Sequence, residues 1–377
     1  MEREQELKTA ETRRILEISR TILDCPTAPF HEKQVIFAIK RLLEAHRIPF
    51  VQDSGGNLIA RLTRGRVVRP VAFVSHTDHP GIHLTGMSGG VTTGEFLGGV
   101  DHRLMNGVAV DLFLKKGSRI RGKITGVKKN RKTGKIRLRL STPEKIQPGD
   151  FGMFALPGWR VRGDKIYSRA IDDLIGCAAI LNALIRLKNR AIRLNVFGVF
   201  TRAEETGFVG AQHLAAQESI PGDALVISVE SSKAFSYAEM GGGPVLRVGD
   251  RASLFSPDAD LYVQDIARSL IGRIPGFKYQ RRLMSGGTCE ATPFSLSGFQ
   301  AYGIAFPLGN YHNMASGGKI RAEYVAISDF LNGIGLIEEI AAGMPGYADC
   351  RAALAKRLIR RYLQSRRRLL KEKEDFF

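Results

Sequence analysis

Acidic residues and histidines of this sequence stand where predicted secondary-structure elements begin or end. Asp172-Asp173 opens an apolar helix, and Glu204-Glu205 follows an apolar strand. The triplet His76-Thr77-Asp78 comes directly after residues 71–74, an apolar run typical of a buried strand. Carboxylates are costly to bury unless cations offset their charge. A divalent metal site is therefore the first hypothesis.

Five residues have the side chains of a site for two metal ions. Imidazole nitrogens and carboxylate oxygens suit zinc, and also cobalt or manganese. The candidate ligands are His76, Asp172, Glu205, Glu230 and His312. Asp172 is placed to bridge the ions, one of which would be bound by His76 and Glu230 and the other by Glu205 and His312. Two ions about 3.5–4 Å apart can share a hydroxide and stabilise a tetrahedral intermediate.

Two further carboxylates are expected to take part in catalysis. Asp78 lies two residues after His76, where it can accept the second ring N–H and fix the tautomer. Glu204 has no ligand role and is expected beside the bridging water, as general base and then as acid towards the leaving amine. Each motif alone is weak, because an isolated acidic pair is usually a charge at a helix N-terminus.

The order of the motifs resembles that of one group of peptidases. His76-Thr77-Asp78 is followed in turn by AIDDLIG, AEETG, VES, GGT and YHN. This order resembles the co-catalytic dinuclear zinc peptidases. The separation of 96 positions from His76 to Asp172 favours the tetrahedral (TET), deblocking or glutamyl aminopeptidase family among them. The resemblance extends from about residue 12 to residue 343.

The resemblance implies a fold, a reaction and an assembly. The fold would be a three-layer α/β domain with a mixed sheet, phosphorylase/hydrolase-like, into which a small β-barrel or PDZ-like domain is inserted. The five candidate ligands would hold two divalent ions per chain, with zinc ahead of cobalt or manganese. The reaction would be release of N-terminal residues from short peptides by the bridging hydroxide, with Glu204 as the base. Because the family often forms dodecamers, a homo-oligomer is expected.

Three positions depart from the family pattern and leave the substrate open. Leu174 follows the Asp172-Asp173 pair where arginine is usual, and Glu230 stands where aspartate is usual. Cys289-Glu290 replaces the aspartate of the common GGTDA motif. Two alternatives therefore stay open beside the aminopeptidase. One is a deacylase or amidohydrolase acting on a non-peptide amide, and the other is a non-catalytic scaffold that binds acidic partners.

The elements that must position these residues form an interrupted α/β pattern. Apolar spacing predicts helices at 7–23, 33–46, 172–187, 208–217, 258–271 and 323–342, and strands at 71–74, 194–200, 224–229 and 301–306. Between residues 81 and 164 glycines are frequent, and alternation predicts strands at 120–124 and 136–140. We therefore divide the chain into a catalytic domain (1–80 and 165–346), an inserted β domain for oligomerisation and access (81–164), and a basic C-terminal helix (347–377).

The composition of the chain limits its expected cellular location and partners. The 377 residues are 44% hydrophobic and 25% charged, without an apolar run near the roughly 18 residues of a membrane span. No signal-peptide core opens the chain, and the four cysteines have no CxxC spacing. We expect a cytoplasmic protein with no membrane partner. The net charge of +19 is better explained by solvated basic surfaces than by nucleic acid, because aromatic residues are not interleaved with the basic ones.

Overall fold

The structure is a computed structural model, and it describes residues 2–88 and 90–374. Its helices are α1 Glu2–Leu23, α2 Lys33–Ala45, α3 Leu174–Lys188, α4 Val209–Ala216, α5 Pro257–Arg273, α6 Ala291–Leu296, α7 Ile327–Gly343 and α8 Asp349–Glu374.

The strands belong to one large sheet, one barrel and two small ribbons. They are β1 Phe50–Gln52, β2 Leu58–Arg64, β3 Val71–His76, β4 Gly81–Ser88, β5 Val91–Leu97, β6 Ala109–Phe113, β7 Arg119–Lys129, β8 Ile136–Ser141, β9 Phe151–Phe154, β10 Arg160–Arg162, β11 Lys165–Ser168, β12 Leu194–Thr201, β13 Leu225–Lys233, β14 Val245–Gly249, β15 Gln280–Leu283, β16 Gln300–Leu308, β17 Met314–Ala315, β18 Lys319–Ile320 and β19 Glu323–Ala326.

The large sheet is mixed and has the order β1-β2-β12-β3-β13-β16-β14-β15. Its centre, β12-β3-β13-β16, is parallel, while β2 and β14 run antiparallel to their central neighbours. Every residue of β3 and β12 is buried, as is typical of parallel strands covered on both faces. The helix α3 packs on β3 and β13 and lies between α1 and α7. The predicted α/β fold with a mixed sheet is confirmed.

The inserted segment forms a closed barrel of six strands, in the order β4-β5-β8-β7-β6-β9. Burial alternates along β8, with Ile136, Leu138 and Leu140 buried and the residues between them exposed, because successive side chains of a strand point to opposite faces. The barrel has its own apolar core, separate from that of the large sheet. Of the two expected forms, barrel or PDZ-like, the chain adopts the barrel.

The barrel strands end at Phe154, before the predicted boundary at 164. Strand β10 pairs with β11, and β11 pairs with β19 of the catalytic part. The division at 164 therefore stays a prediction, and the ribbon β10-β11-β19 joins residues from both sides of it.

The predicted helix 323–342 begins later than expected. Glu323–Ala326 forms β19, and α7 starts at Ile327. Val325 and Ala326 are buried opposite β11, so tertiary pairing overrides the helical pattern at this end. The predicted helices at 33–46, 172–187, 208–217 and 258–271 are confirmed as α2, α3, α4 and α5, with ends shifted by a residue or two.

The basic C-terminal helix expected over 347–377 corresponds to α8, Asp349–Glu374, and residues 375–377 lie outside the described part of the chain. The first turns of α8 lie against α5, and Arg351 pairs with Asp258 at 3.5 Å. Within residues 2–88 and 90–374, no helix combines the length and apolar character that a membrane span requires.

Candidate metal centre

The candidate ligands meet at one edge of the large sheet. His76 is the last residue of β3 and lies opposite Thr201, the last residue of β12. Glu204 and Glu205 follow β12 in a 3-10 turn, and Glu230 lies on the neighbouring parallel strand β13. Parallel strands bring their carboxyl ends to the same edge, where ligands of open α/β sheets bind.

The remaining two candidate ligands lie in connections beside this edge. Asp172 precedes α3, and His312 lies in a 3-10 turn after β16. His312 and Ala203 have φ values of 53° and 52°, in the left-handed region that is costly for residues with a Cβ. Such backbone strain is concentrated at functional sites.

The carboxylate of Asp172 lies between the two histidines. Its Oδ1 is 3.5 Å from His76 Nε2, and its Oδ2 is 3.4 Å from His312 Nε2. The two oxygens of one carboxylate therefore face two different imidazoles. This is the arrangement that a bridging ligand between two ions requires.

The other carboxylates divide into two groups around Asp172. Glu205 Oε1 is 3.1 Å from His312 Nε2. Glu230 Oε2 and Glu204 Oε2 are each 3.9 Å from His76 Nε2. Ligand atoms of His76, Glu204 and Glu230 lie within 4.8 Å of one another, as do those of Asp172, Glu205 and His312. The structure thus brings all five candidate ligands together in two sets.

The hydrogen bonds of the two histidines test whether cations fit this cluster. His312 Nδ1 lies 2.9 Å from the carbonyl oxygen of Gly99, and His76 Nδ1 lies 3.2 Å from that of Asp78. Since carbonyls only accept, each Nδ1 carries a proton, so each Nε2 is the ring nitrogen that faces the carboxylate oxygens. A cation must lie between each Nε2 and these oxygens, and a divalent metal ion can replace the proton there, so the donor set fits divalent metal ions.

The electrostatics agree with this fit. Burial raises the pKa of Glu204 well above its ordinary value, and the neighbouring carboxylates, Glu230 among them, raise it further. Although burial alone would lower the pKa of His312, the carboxylates of Glu205 and Asp172 raise it well above its ordinary value. The cluster therefore has a negative potential that favours cations.

The Asp78 carboxylate makes contacts that were not expected. Its Oδ1 is 3.5 Å from His76 Nδ1, beyond the usual length of a hydrogen bond. Its two oxygens instead accept the backbone N–H groups of Glu204 at 3.0 Å and Glu205 at 3.1 Å. Asp78 therefore holds the turn that carries the proposed base, while its backbone carbonyl faces the histidine.

Glu323 is a site residue that the sequence did not indicate. It is fully buried, and its Oε2 accepts the backbone N–H groups of Ile171 and Asp172 at 2.8 and 3.0 Å. Its Oε1 accepts the N–H of His312 at 2.7 Å. One carboxylate thus fixes the backbone of two candidate ligands. The sequence contains no motif around Glu323, and its segment has a helical pattern.

Other neighbours surround Asp172 and Asp173. His79 Nδ1 lies 2.6 Å from the carbonyl oxygen of Asp172, and its Nε2 lies 3.1 Å from Asn313 Oδ1. Ser75 Oγ donates to Asp173 Oδ2 at 2.5 Å. Burial and the charge of Glu230 raise the pKa of Asp173 well above its ordinary value. Asp173 is therefore a hydrogen-bonded neighbour of the cluster, and one of its carboxylate oxygens lies within 4.8 Å of ligand atoms of Asp172 and Glu230.

The positions that depart from the family pattern have defined surroundings. Leu174 is buried at the start of α3. Glu290 is also buried, and its Oε1 accepts a hydrogen bond of 2.5 Å from Thr201 Oγ1. Burial raises the pKa of Glu290 to about 8. Its backbone N–H lies 3.5 Å from Glu230 Oε1, so Glu290 approaches this candidate ligand through its backbone, while its carboxyl group contacts Thr201.

A cavity of about 100 Å³ opens over the cluster, and two basic residues lie among its walls, Lys233 and Arg247. Arg247 is only 3% exposed. Its Nη1 donates to Ser232 Oγ at 3.2 Å and its Nη2 to the carbonyl oxygen of Gly287 at 3.0 Å. Its Nε has no hydrogen-bond partner within the described part of the chain.

Gly303 makes room for the Arg247 side chain. The two residues are direct partners in the antiparallel pair of β14 and β16. A Cβ at Gly303 would lie 3.0 Å from Arg247 Cβ and 3.3 Å from its Cδ, closer than ordinary van der Waals contact. The sheet therefore accommodates a buried guanidinium beside the cavity.

Comparisons with known proteins agree with this geometry. The sequence pattern of a family described as M42 glutamyl aminopeptidase matches residues 56–323. A protein of Acetivibrio thermocellus that is named as an aminopeptidase is 27% identical over 188 residues, which make up 48% of this chain and 52% of that protein. The matched region therefore spans about half the length of this curated relative.

Solved structures share the fold. The TET1 peptidase of Pyrococcus horikoshii, which can assemble into a tetrahedron or a large octahedral shell, is 23% identical to this chain. That match covers 87% of this chain and 99% of the other, with a TM-score of 0.72. An aminopeptidase from the archaeon Desulfurococcus kamchatkensis is 21% identical, with 89% and 97% covered and a TM-score of 0.75.

Proposed function

The chain belongs to the M42 glutamyl aminopeptidase family, and from this premise we propose that it is a metal-dependent aminopeptidase acting on short peptides. The observation that carries the proposal is the position of the Asp172 carboxylate, 3.5 Å from one imidazole and 3.4 Å from another. The two sets of donors around it provide for two ions. The aminopeptidase names of similar proteins support the same reaction.

The proposed ligands of one ion are His76 and Glu230, and those of the other are Glu205 and His312, with Asp172 shared. Nitrogen and carboxylate donors without thiolate are compatible with zinc, which we propose as the native metal, and also with cobalt or manganese. When bound, two such ions would activate a water molecule and polarise the scissile carbonyl group.

Glu204 is the proposed general base. Its carboxylate borders the cavity, and Asp78 fixes the backbone of its turn through the N–H groups of Glu204 and Glu205. Glu204 would accept a proton from the attacking water and then donate it to the leaving amine. Because burial raises the pKa of Glu204, its carboxyl group can hold that proton between the two steps.

The cavity favours a substrate with a negative group. Arg247 is buried, and its two terminal nitrogens contact neutral acceptors, so its charge is available to a carboxylate in the cavity. Lys233 adds a second cation to the same wall. We therefore propose peptides whose N-terminal residue is aspartate or glutamate as preferred substrates. A bidentate bond between a guanidinium and a carboxylate provides this kind of selectivity.

A homo-oligomer is part of the proposal. Its support is the assembly named for the similar TET1 peptidase, a tetrahedron or an octahedral shell. Light scattering of the purified chain measures this directly, and a monomer at micromolar concentration would contradict it.

A peptide panel tests the proposed reaction. Metal-loaded protein is incubated with the peptide Glu-Ala-Ala-Phe, its leucine counterpart Leu-Ala-Ala-Phe, and N-acetylated forms of both, and the products are identified by mass spectrometry. The proposal predicts release of the first residue from the free peptides and none from the acetylated ones. Removal of the acetyl group would favour the deacylase, and no product from any substrate would favour the scaffold.

A further inference from the structure

The helix α8 extends away from the rest of the chain. Only its first turns are held, by contacts with α5 and by the 3.5 Å pair of Arg351 and Asp258. Leu354 is half-buried, and the described side chains that follow it are exposed. Most of this helix therefore has no partner within the described chain.

One face of α8 is apolar and exposed. Its large apolar residues are 50–65% exposed, which is unusual for a solvated helix. They are Leu358, Ile359, Tyr362, Leu363, Leu369 and Leu370. Spacings of three, four and seven residues place them on one side of the helix. Solvation therefore explains the basic residues of α8 but not this apolar face.

The opposite face is basic. At about 100° per residue, Arg357, Arg360, Arg361 and Arg368 lie opposite the apolar face, whereas Arg366 lies within it. The sequence from residue 350 to residue 371 contains nine Lys and Arg residues and no acidic residue. A helix with these two faces is typical of a segment that lies in the interface of a membrane.

We propose that α8 binds the surface of anionic lipid membranes. Its apolar side chains would enter the boundary between headgroups and acyl chains, and its arginines would bind lipid phosphates. The expectation of no membrane partner came from the absence of a long apolar run. That criterion concerns helices that cross a bilayer, whereas a helix on the surface needs only one apolar face.

Two other occupants fit the two faces less well. A nucleic acid would bind the arginines but leave the apolar residues in water. A second copy of α8 would cover the apolar residues, but it would bring together two stretches, residues 350–371 of each copy, that contain no acidic residue, whereas coiled coils normally carry charges of opposite sign beside the seam. Anionic lipid satisfies both faces at once.

Sedimentation with vesicles tests the proposal on the full-length protein. Vesicles of phosphatidylcholine with a quarter phosphatidylglycerol are compared with vesicles of phosphatidylcholine alone. We expect binding at least tenfold tighter to the anionic vesicles, and weaker binding at high salt because charge contributes to it. Equal binding to both vesicles, or none to either, would overturn the proposal.

Variants of each face refine the test. Leu358→Ser combined with Leu363→Ser removes part of the apolar face, and Arg360→Gln combined with Arg361→Gln removes part of the basic face. Each double variant is expected to lose at least tenfold in vesicle binding. Leu296→Ser is the matched control, because Leu296 is 81% exposed outside α8 and its loss should not change binding.

Two results would assign the helix to another partner and overturn the proposal. One is that the apolar double variant binds vesicles normally but forms a smaller assembly in light scattering, which identifies a second copy. The other is that a DNA duplex displaces the protein from vesicles and the apolar variant binds that duplex as the unmodified protein does. A thermal unfolding curve similar to that of the unmodified protein verifies that each variant is folded.

Discussion

Single side chains decide the chemistry of this site. Glu204 borders the cavity without a ligand role in the proposal, so Glu204→Gln should keep both ions and lose turnover. General acid–base catalysis contributes roughly 10²–10⁴-fold to the rate. The kcat of the variant should therefore fall by at least roughly 10²-fold. Steady-state kinetics and elemental analysis of the same sample measure the two effects. A variant with nearly normal kcat would show that another group is the base.

Substitutions of the adjacent residues Asp172 and Asp173 are predicted to have different effects on the metal content of the protein. Asp172 faces both imidazoles, whereas Asp173 accepts a hydrogen bond from Ser75 and has a raised pKa. Asp172→Ala should therefore retain less than one ion per chain, while Asp173→Asn should retain two. Elemental analysis after dialysis measures the number of metal ions per chain. The reverse result would exchange the roles of the two residues.

Arg247 is predicted to select the substrate. Loss of one partner of a buried charge pair typically costs about 2–5 kcal/mol, so Arg247→Met should lower kcat/KM for glutamyl substrates by at least roughly 30-fold. For leucyl substrates, kcat/KM should change much less. Arg281→Met is a suitable control, since Arg281 is more exposed and pairs with Asp260. An equal loss of kcat/KM for glutamyl and leucyl substrates would show that Arg247 does not determine substrate specificity.

At the scale of elements, the strand β19 connects two parts of the site. Its first residue, Glu323, accepts N–H groups beside Asp172 and His312, although it precedes a helix and lies in no motif. Glu323→Gln should lower metal affinity about 10–100-fold, as is usual for groups that orient ligands. Competition with a chelator measures the affinity. Glu338→Gln, a buried glutamate paired with Arg186, should leave it unchanged.

The barrel also reaches the metal centre. Gly99 belongs to the inserted segment, and its carbonyl oxygen lies 2.9 Å from His312 Nδ1. A Cβ at Gly99 would lie 3.2 Å from the same ring. The insert therefore contributes to the orientation of a candidate ligand, while its roles in oligomerisation and access stay predictions.

The sequence predicted the elements better than the contacts between them. His76, Asp172, Glu205 and Glu230 could be proposed because each stands beside a predicted strand or helix end, whereas His312 was proposed from the order of the motifs. Glu323 and Arg247 were not, since they meet the site through tertiary pairing that no local pattern records. The Asp78 carboxylate illustrates the same limit. Its position was predicted, but its hydrogen bonds to the turn of Glu204 depend on how two strands align.

At the scale of the whole molecule, the α/β domain carries one candidate centre for two ions, and Gly99 of the inserted segment contacts it. Family membership and the geometry of Asp172 lead to the same proposed reaction. The basic helix α8 lies apart from that centre and adds a separate proposed surface. Its removal after Gly346 should leave the peptidase rate within a few-fold, because none of the described side chains of α8 lines the cavity.

Metal titration of the chelator-treated protein tests the central claim most directly. Zinc or cobalt is added in steps while release of N-terminal glutamate from a peptide is followed. The dinuclear account predicts almost no activity without metal and a maximum at two ions per chain, with Asp172→Ala inactive throughout. Full activity without metal, or a maximum at one ion per chain with Asp172→Ala still active, would contradict it.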